Sequence, residues 1–190
     1  MPLTNPILPS PGRPKVSTTD SLMLPGVALT SSVGALAPGN NTLYYFPIYV
    51  AAPLTITGLL LEVTTLAASG KARVGIYNAD SDLQPTSLIV DGGELDCSST
   101  GVKEATISTT LAPGRYLLAA VCNSGTIQVR YARGGSERLG VLPGLGANML
   151  RSELTVTNTY GALASTGVAW TATGGFSSPP PWFLFCRVAS

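Results

Sequence analysis

The stretch that decides the fold of this chain is residues 72–125, ARVGIYNADSDLQPTSLIVDGGELDCSSTGVKEATISTTLAPGRYLLAAVCNSG. Short runs rich in Val, Ile, Leu, Thr and Tyr alternate here with turns built from Gly, Pro, Asn, Asp and Ser. Such runs, each about four to eight residues long, are typical of β-strands, whereas an amphipathic helix repeats its apolar residues every three to four positions. Because no segment shows the helical period, the stretch predicts consecutive antiparallel strands.

The same pattern continues outward from this stretch and covers residues 41–190. The predicted strands are 43–50, 54–65, 72–77, 87–90, 93–97, 102–109, 115–122, 126–132, 153–159, 168–173 and 182–188. Turn residues separate the strands about every 8–12 positions, which is typical of a sandwich or a barrel. We therefore predict an all-β fold, an antiparallel β-sandwich over residues 41–190, in which Gly92 and Gly93 close a short hairpin.

Residues 1–40 have a different composition, with five prolines between positions 2 and 14. Proline removes a backbone donor and fixes φ, so residues 1–15 are predicted to be extended. Apolar and basic side chains are spaced between the prolines, and we predict that they bind a neighbouring subunit or another partner; a disordered tail is the alternative. The predicted partner-binding residues of this extended proline-rich N-terminal arm are Leu3, Ile7, Leu8, Arg13 and Lys15.

The charge composition narrows the possible functions. Only 11% of the residues are charged, against about 25% in ordinary soluble domains, and the net charge is +1. Low charge gives copies of the chain little mutual repulsion, which favours a protein that works in an assembly. The basic residues are scattered, so no nucleic acid is expected as a partner. The absence of His removes the commonest general acid and base and all His-containing triads and zinc sites.

The cysteines and the apolar runs indicate neither a metal site nor a membrane segment. Cys97, Cys122 and Cys186 are far apart and form no CxxC motif. We predict buried thiols, with one disulfide or a reactive thiol as the alternatives. No window reaches the roughly 18 apolar residues that span a membrane, and residues 1–16 hold no apolar stretch long enough for a signal peptide. No membrane contact is therefore expected.

The acidic turn NADSDLQP could hold calcium or could only close a hairpin. If Asn78 is position 1 of an EF-hand loop, Asp80 and Asp82 fall at positions 3 and 5. Leu83 then occupies the glycine position and Ile89 the position of the bidentate glutamate, so the match fails. We interpret the stretch as a turn whose Asn and Asp side chains bond their own backbone, and we predict no metal and no cofactor.

Three further carboxylates, Asp91, Glu94 and Asp96, follow in the same stretch. A glycoside hydrolase needs two carboxyl groups about 5–9 Å apart, one of them with a raised pKa. These three residues are predicted to lie on an exposed rim around the glycine hairpin. We therefore predict no catalytic residues and no enzymatic activity, with a hydrolase or lyase as the less favoured alternative.

Two features of the last third of the chain are candidate ligand or interface sites. Residues 133–152 are predicted to form a long glycine-rich loop, and its Arg133 and Arg138 are predicted to contact a ligand or a neighbouring subunit. Trp170 could stack on a sugar, although an aromatic side chain on a β-sandwich also packs in a core or an interface. We predict Trp170 as a ligand or interface residue.

Residues 72–125 also carry a resemblance to a known family. They combine a strand with RVGIY, a turn that ends in QP, the strand SLIVD, the glycine pair and a strand that begins LAPGRYLLA. This order resembles a jelly-roll-like β-sandwich module in virion proteins of tailed bacteriophages, namely head fibres, capsid decoration proteins and tail fibres. The resemblance implies a structural virion component, a homo-oligomer and often a trimer, attached through its N-terminal segment to capsid or tail subunits. The alternative is a carbohydrate- or receptor-binding module on a phage fibre that binds cell-surface glycan.

Overall fold

The computed structural model describes residues 21–23, 32–133, 154–170 and 184–189. These residues form eleven β-strands and, within the described ranges, no helix. The strands are β1 (Ser21–Met23), β2 (Ser32–Leu36), β3 (Thr42–Val50), β4 (Leu54–Thr65), β5 (Lys71–Ala79), β6 (Pro85–Asp96), β7 (Gly101–Leu111), β8 (Gly114–Cys122), β9 (Gln128–Arg133), β10 (Leu154–Thr157) and β11 (Phe185–Val188). No helix in the described part of the chain is long and apolar enough to cross a membrane.

The strands make two antiparallel sheets. In the first sheet β4 pairs with β7 on one side and with β11 and β9 on the other, while β1 extends β11 and β2 extends β9. The second sheet has the order β10-β3-β8-β5-β6. The predicted all-β fold with antiparallel sheets is therefore confirmed. Strand β4 begins and ends at the predicted residues, and its buried and half-buried positions alternate except at residues 58–61, which are all buried.

Eight consecutive strands pair in a nested order. Strand β2 pairs with β9, β3 with β8, β4 with β7 and β5 with β6, and every pair is antiparallel. The chain from β2 to β9 therefore folds back on itself as one long hairpin. The pairs β2–β9 and β4–β7 lie in the first sheet, and the pairs β3–β8 and β5–β6 lie in the second. Strands β1 and β2 lie inside the range predicted as an arm, whereas residues 1–20 lie outside the described residues.

The glycine hairpin predicted at Gly92 and Gly93 is wrong, because β6 continues through both residues. Val74 pairs with Gly93 and Gly75 with Asp91, so one residue of β6 is skipped and the strand bulges. Gly93 has a φ of 81°, which a residue with a Cβ rarely adopts. Two adjacent glycines therefore made a bulge rather than a turn.

The core lies between the sheets and includes Phe46, Ile56, Leu61, Ile76 and Leu118, all at most 1% exposed. All three cysteines are free and buried, as predicted, and Cys97, Cys122 and Cys186 belong to this core. Burial raises the pKa of Cys97 and Cys186 to about 11 and that of Cys122 to about 12. The thiols are therefore protonated at neutral pH, and the structure gives no support to a reactive thiol.

A second core covers the other face of the second sheet. It contains Tyr45, Tyr77 and Leu117 from the sheet and Leu163 and Trp170 from the residues that follow β10. Strand β8 is buried on both faces for this reason, since its alternate residues enter one core or the other. This double burial explains the unbroken apolar run YLLAAVC, which a strand with one solvated face does not need.

Candidate functional site

The acidic turn between β5 and β6 is closed by its own backbone and side chains. Asp80 Oδ1 accepts the backbone N–H groups of Asp82, at 2.9 Å, and Gln84, at 2.8 Å. Leu83 takes a φ of 60°, and its N–H donates to the Asp80 carbonyl at 3.2 Å. The predicted Asx-type turn is confirmed, and the Asp82 side chain is left on the exposed surface.

Asp91 is the most highly bonded carboxylate of the described residues. Arg73 Nε donates to both of its oxygens, at 3.0 and 2.9 Å, and Arg73 Nη2 donates to Oδ2 at 2.8 Å. Oδ1 also accepts the Gly93 N–H at 2.9 Å, and Oδ2 accepts the Leu163 N–H at 3.3 Å. The side chains of Arg73 and Asp91 are only 20% and 22% exposed, so water competes little for these bonds.

The electrostatics of Asp91 follow from these contacts. Burial raises the pKa of this carboxyl, but the hydrogen bond from Arg73, with those from Gly93 and Leu163, outweighs burial and holds the pKa below its ordinary value of 3.8. Asp91 is therefore ionised at neutral pH. A general acid needs the opposite shift, so the carboxylate fits a structural role.

The other described acidic side chains, apart from Asp82, also have structural partners. Lys71 Nζ lies 2.7 Å from Glu94, Arg130 Nε 2.5 Å from Glu62 and Arg187 Nε 2.8 Å from Glu104. Asp96 accepts the Ser98 N–H at 2.9 Å. In the described ranges no three Cys, Asp or Glu side chains are grouped so that they could hold a metal ion.

Residues 158–170, here called the cover segment, lie on the outer face of the second sheet. Tyr77 donates its hydroxyl hydrogen to the Ala164 carbonyl at 2.9 Å, and the Val168 N–H donates to the Tyr45 hydroxyl at 3.2 Å. Backbone bonds also join the segment to the edge of β6, from Leu88 N to the Ser165 carbonyl at 2.9 Å and from the Gly167 N–H to the Thr86 carbonyl at 2.8 Å. Burial raises the pKa of Tyr77 to about 12 and that of Tyr45 further, so both hydroxyls keep their protons.

A glycine in the sheet makes room for the cover segment. A Cβ built on Gly75 would collide with the Leu163 Cδ1 and would lie 2.7 Å from the Val90 carbonyl oxygen. Leu163 can therefore enter the second core only because residue 75 has no side chain. Sequence reasoning missed the cover segment; the available signal was the unbroken apolar run of β8, which implies a cover on both faces of its sheet.

Trp170 closes the second core and is 7% exposed. Its Nε1 donates to the Leu83 carbonyl at 2.9 Å, and its backbone N–H and C=O bond to the Gln84 amide, each at 3.2 Å. The indole thus locks the cover segment to the acidic turn and presents little surface to a sugar. The ligand or interface role of Trp170 stays a prediction, which this burial does not favour.

The described residues do not show the remaining predicted site residues as one site. Arg133 is the last residue of β9, where its backbone pairs with Ser32, and its side chain is outside the description. The other predicted site residues lie outside the described residues, and they are Leu3, Ile7, Leu8, Arg13, Lys15 and Arg138. Their partner-binding or ligand roles stay predictions.

The pKa of Asp91 predicts how stability depends on pH. A carboxyl whose folded pKa lies below its unfolded value stabilises the protein above the unfolded pKa and loses that contribution as the pH falls through the folded pKa. We expect the unfolding midpoint of the Asp91→Asn variant to lie below that of the natural protein at neutral pH. This difference should shrink below pH 3.8, the ordinary pKa of the group, in urea titrations at a series of pH values. A difference that stays constant down to about pH 2 would contradict the assignment.

Comparisons of the chain with protein-family models, with curated proteins and with solved structures found no match, so its function is argued from the residues and geometry described above.

Proposed function

We propose that this chain is a non-enzymatic structural protein of a bacteriophage virion, attached through its N-terminal arm and assembled as an oligomer. It acts as a capsid decoration protein, a head fibre or a tail component. The observation that carries the proposal is the strand order. Strands β2-β9-β4-β7 and β3-β8-β5-β6, nested in pairs from β2 with β9 to β5 with β6, are the order expected of an eight-stranded jelly roll.

A strand order of this kind supports a virion role because viral capsid domains are among the proteins built on the jelly-roll architecture. Lectin domains share the architecture, so the strand order alone does not exclude glycan binding. The proposal therefore also depends on the resemblance of residues 72–125 to virion proteins and on the proline-rich composition of residues 1–15.

The chemistry of the described side chains supports a non-enzymatic role. Asp91 is held ionised by Arg73, and Glu62, Glu94 and Glu104 sit in ion pairs. The thiols have raised pKa values, and the sequence supplies no His for general acid or base catalysis. The carbohydrate-binding alternative relied on Trp170, and the burial of that indole does not favour it.

The proposal predicts that removal of residues 1–20 abolishes incorporation into virions. The truncation leaves β1 intact, because that strand begins at Ser21, and the core residues in the described part of the chain all lie after residue 20. We therefore expect the truncated protein to fold, with a thermal midpoint close to that of the complete chain. Incorporation is measured by complementing a phage that lacks the protein and quantifying the chain in purified particles.

The matched control is the Val102→Ala variant of the complete chain, whose exposed side chain lies in β7 of the sandwich. It should be incorporated like the natural protein. Full occupancy by a folded truncated protein would show that the arm does not attach the chain.

A further inference from the structure

The two ends of the sandwich differ in chemistry. In the described part of the chain, the Pro53 end contains the loops 51–53, 80–84 and 112–113, and the Asn123 end contains the loops 37–41, 66–70, 97–100 and 123–127. The Asn123 end is bonded within itself; for example, the Asn123 side chain accepts the Lys71 N–H at 2.8 Å and donates to the Ser69 carbonyl at 3.0 Å. Each end also exposes a large apolar side chain: Leu66, 44% exposed, at the Asn123 end, and Tyr49, 71% exposed, at the Pro53 end, where exposed Ala-Pro loops adjoin it.

The exposed apolar residues at the Pro53 end come from the end of β3 and from two loops that adjoin the paired residues Val50 and Gly114 and the paired residues Leu54 and Leu111. Tyr49, the second-last residue of β3, is 71% exposed, the highest value among the large apolar residues of the described ranges. The loop that follows β3 exposes Ala51, Ala52 and Pro53, and the loop between β7 and β8 exposes Ala112 and Pro113. By contrast, Val102 near the Asn123 end is 64% exposed but stands opposite Glu62 and beside Lys103. Single exposed apolar residues of that kind are ordinary, whereas a contiguous group marks an interaction surface.

The proline-rich residues enter the fold at this same end. Ser21 pairs with Val188, and Val188 pairs with Ile56 near the first residue of β4. The Ala189 N–H donates to the Thr55 carbonyl at 2.9 Å, which fixes β11 at that point. Residues 1–20 therefore join the sandwich at the Pro53 end.

Negative charge at the Pro53 end complements the positive charge of the proline-rich residues. Asp80 and Asp82 are exposed in the acidic turn, and neither carboxylate has a cation within ion-pair distance among the described residues. Arg115 stands opposite Tyr49 in the sheet and donates from Nη1 to the Ser81 carbonyl at 2.9 Å, so the acidic turn adjoins the apolar surface. The proline-rich residues carry Arg13 and Lys15 close to the apolar Leu3, Ile7 and Leu8.

We propose that the Pro53 end of one copy binds residues 1–15 of a second copy. Apolar side chains of the second copy cover Tyr49 and the Ala-Pro loops, and Arg13 and Lys15 meet Asp82 and Asp80. This inference deepens the proposed function, on which it rests, by naming the surface that the arm contacts.

The length of residues 1–15 favours binding to a second copy over binding to the same chain. Fifteen residues in a polyproline conformation span about 45 Å at roughly 3.1 Å per residue. The twelve residues of β4 span about 40 Å. An extended segment of that length would be as long as the sandwich, and a segment that leaves the Pro53 end would have to reverse its direction to bind the same end of its own chain. Since each copy both gives and receives a segment at the same end, the exchange can close into a symmetric oligomer in which the Pro53 ends meet.

The first test compares two exposed apolar residues of similar accessibility. Association of the purified complete chain is measured by light scattering over a concentration series. Tyr49→Glu should weaken association at least about 10-fold, because a carboxylate in a desolvated contact is unfavourable. Val102→Glu should associate like the natural protein. Both substitutions are at exposed positions, so the thermal midpoint should change little. Equal behaviour of the two variants, or a monomeric natural protein, would overturn the proposal.

The second test uses charge reversal. Asp82→Arg and Arg13→Asp should each weaken association, and the chain that carries both changes should recover it. Asp80 is left unchanged because its side chain closes the turn. If the double variant associates no more tightly than the single variant with the weaker association, Arg13 and Asp82 are not in contact.

The third test distinguishes a second copy from the same chain. The natural cysteines are buried, so mild oxidation of the Ile7→Cys/Tyr49→Cys variant tests the two new cysteines, one of them at the exposed position 49. Disulfide-linked species of two or more chains on a non-reducing gel support exchange, with Ile7→Cys/Val102→Cys as the negative control. A bond formed only within one chain overturns the choice of a second copy. These measurements use the purified protein. A natural protein that exchanges its arm but is never incorporated into virions would refute the proposed function alone, and a natural protein that is incorporated without exchange would refute this inference alone.

Discussion

Replacement of Asp91 by Asn is expected to lower the free energy of unfolding by about 3 kcal/mol. Both carboxylate oxygens face donors: Oδ1 accepts from Gly93 and Arg73, and Oδ2 accepts from Arg73 and Leu163. An asparagine NH₂ group in either orientation would place a donor against these donors. The substitution also leaves the Arg73 guanidinium largely buried without its counter-charge. Because about a fifth of each side chain stays exposed, we take the lower end of the cost of breaking a buried pair.

The measurement is equilibrium unfolding in urea, followed by fluorescence and by circular dichroism. Glu94→Gln is the matched control, because Glu94 lies on the same strand and pairs with Lys71 on the same partner strand. That pair is solvent-exposed, so little change in the unfolding midpoint is expected. If the two variants lose the same stability, the contacts of Asp91 are not as consequential as their geometry indicates.

The second large effect concerns two neighbouring residues that face opposite sides of β8. Leu118 enters the core between the sheets and Leu117 enters the second core under the cover segment, and both are fully buried. We expect Leu117→Ala and Leu118→Ala each to cost about 3 kcal/mol, because each removes buried methyl groups and leaves a cavity. In a sandwich with one solvated face, only one of the two substitutions would be costly.

Urea unfolding of both variants measures this difference, with Val102→Ala as the exposed control that should change stability by less than about 0.5 kcal/mol. A negligible effect of Leu117→Ala would show that the cover segment does not protect the outer face of the second sheet in solution.

The acidic stretch 74–96 shows where sequence reasoning succeeded and where it failed. The Asx turn at Asp80 was predictable, since a short acidic side chain bonds the backbone two residues on, whatever the tertiary context. The role of Asp91 was not predictable. Residues 91 and 94 are three apart and point to opposite faces of a regular strand; the bulge at the glycine pair brings both to the face of Arg73 and Lys71. Glu94 and Asp96 are exposed, as predicted for a rim, but the skipped residue places Asp91 in a partly buried ion pair with Arg73.

The sequence by itself determined the all-β class, the main strands, the buried thiols and the acidic turn. Each of these depends on local chemistry: alternation of apolar residues, turn residues and the preference of isolated cysteines for the interior. Only the tertiary structure decided the nested strand order, the cover over the second sheet and the contact from Leu163 to Asp91, 72 residues earlier in the chain. Those features depend on contacts between residues that are far apart in the sequence, and a local sequence pattern carries no information about such contacts. Gly75 illustrates the difference, because its missing side chain is explained only by the leucine that packs against it from the cover segment.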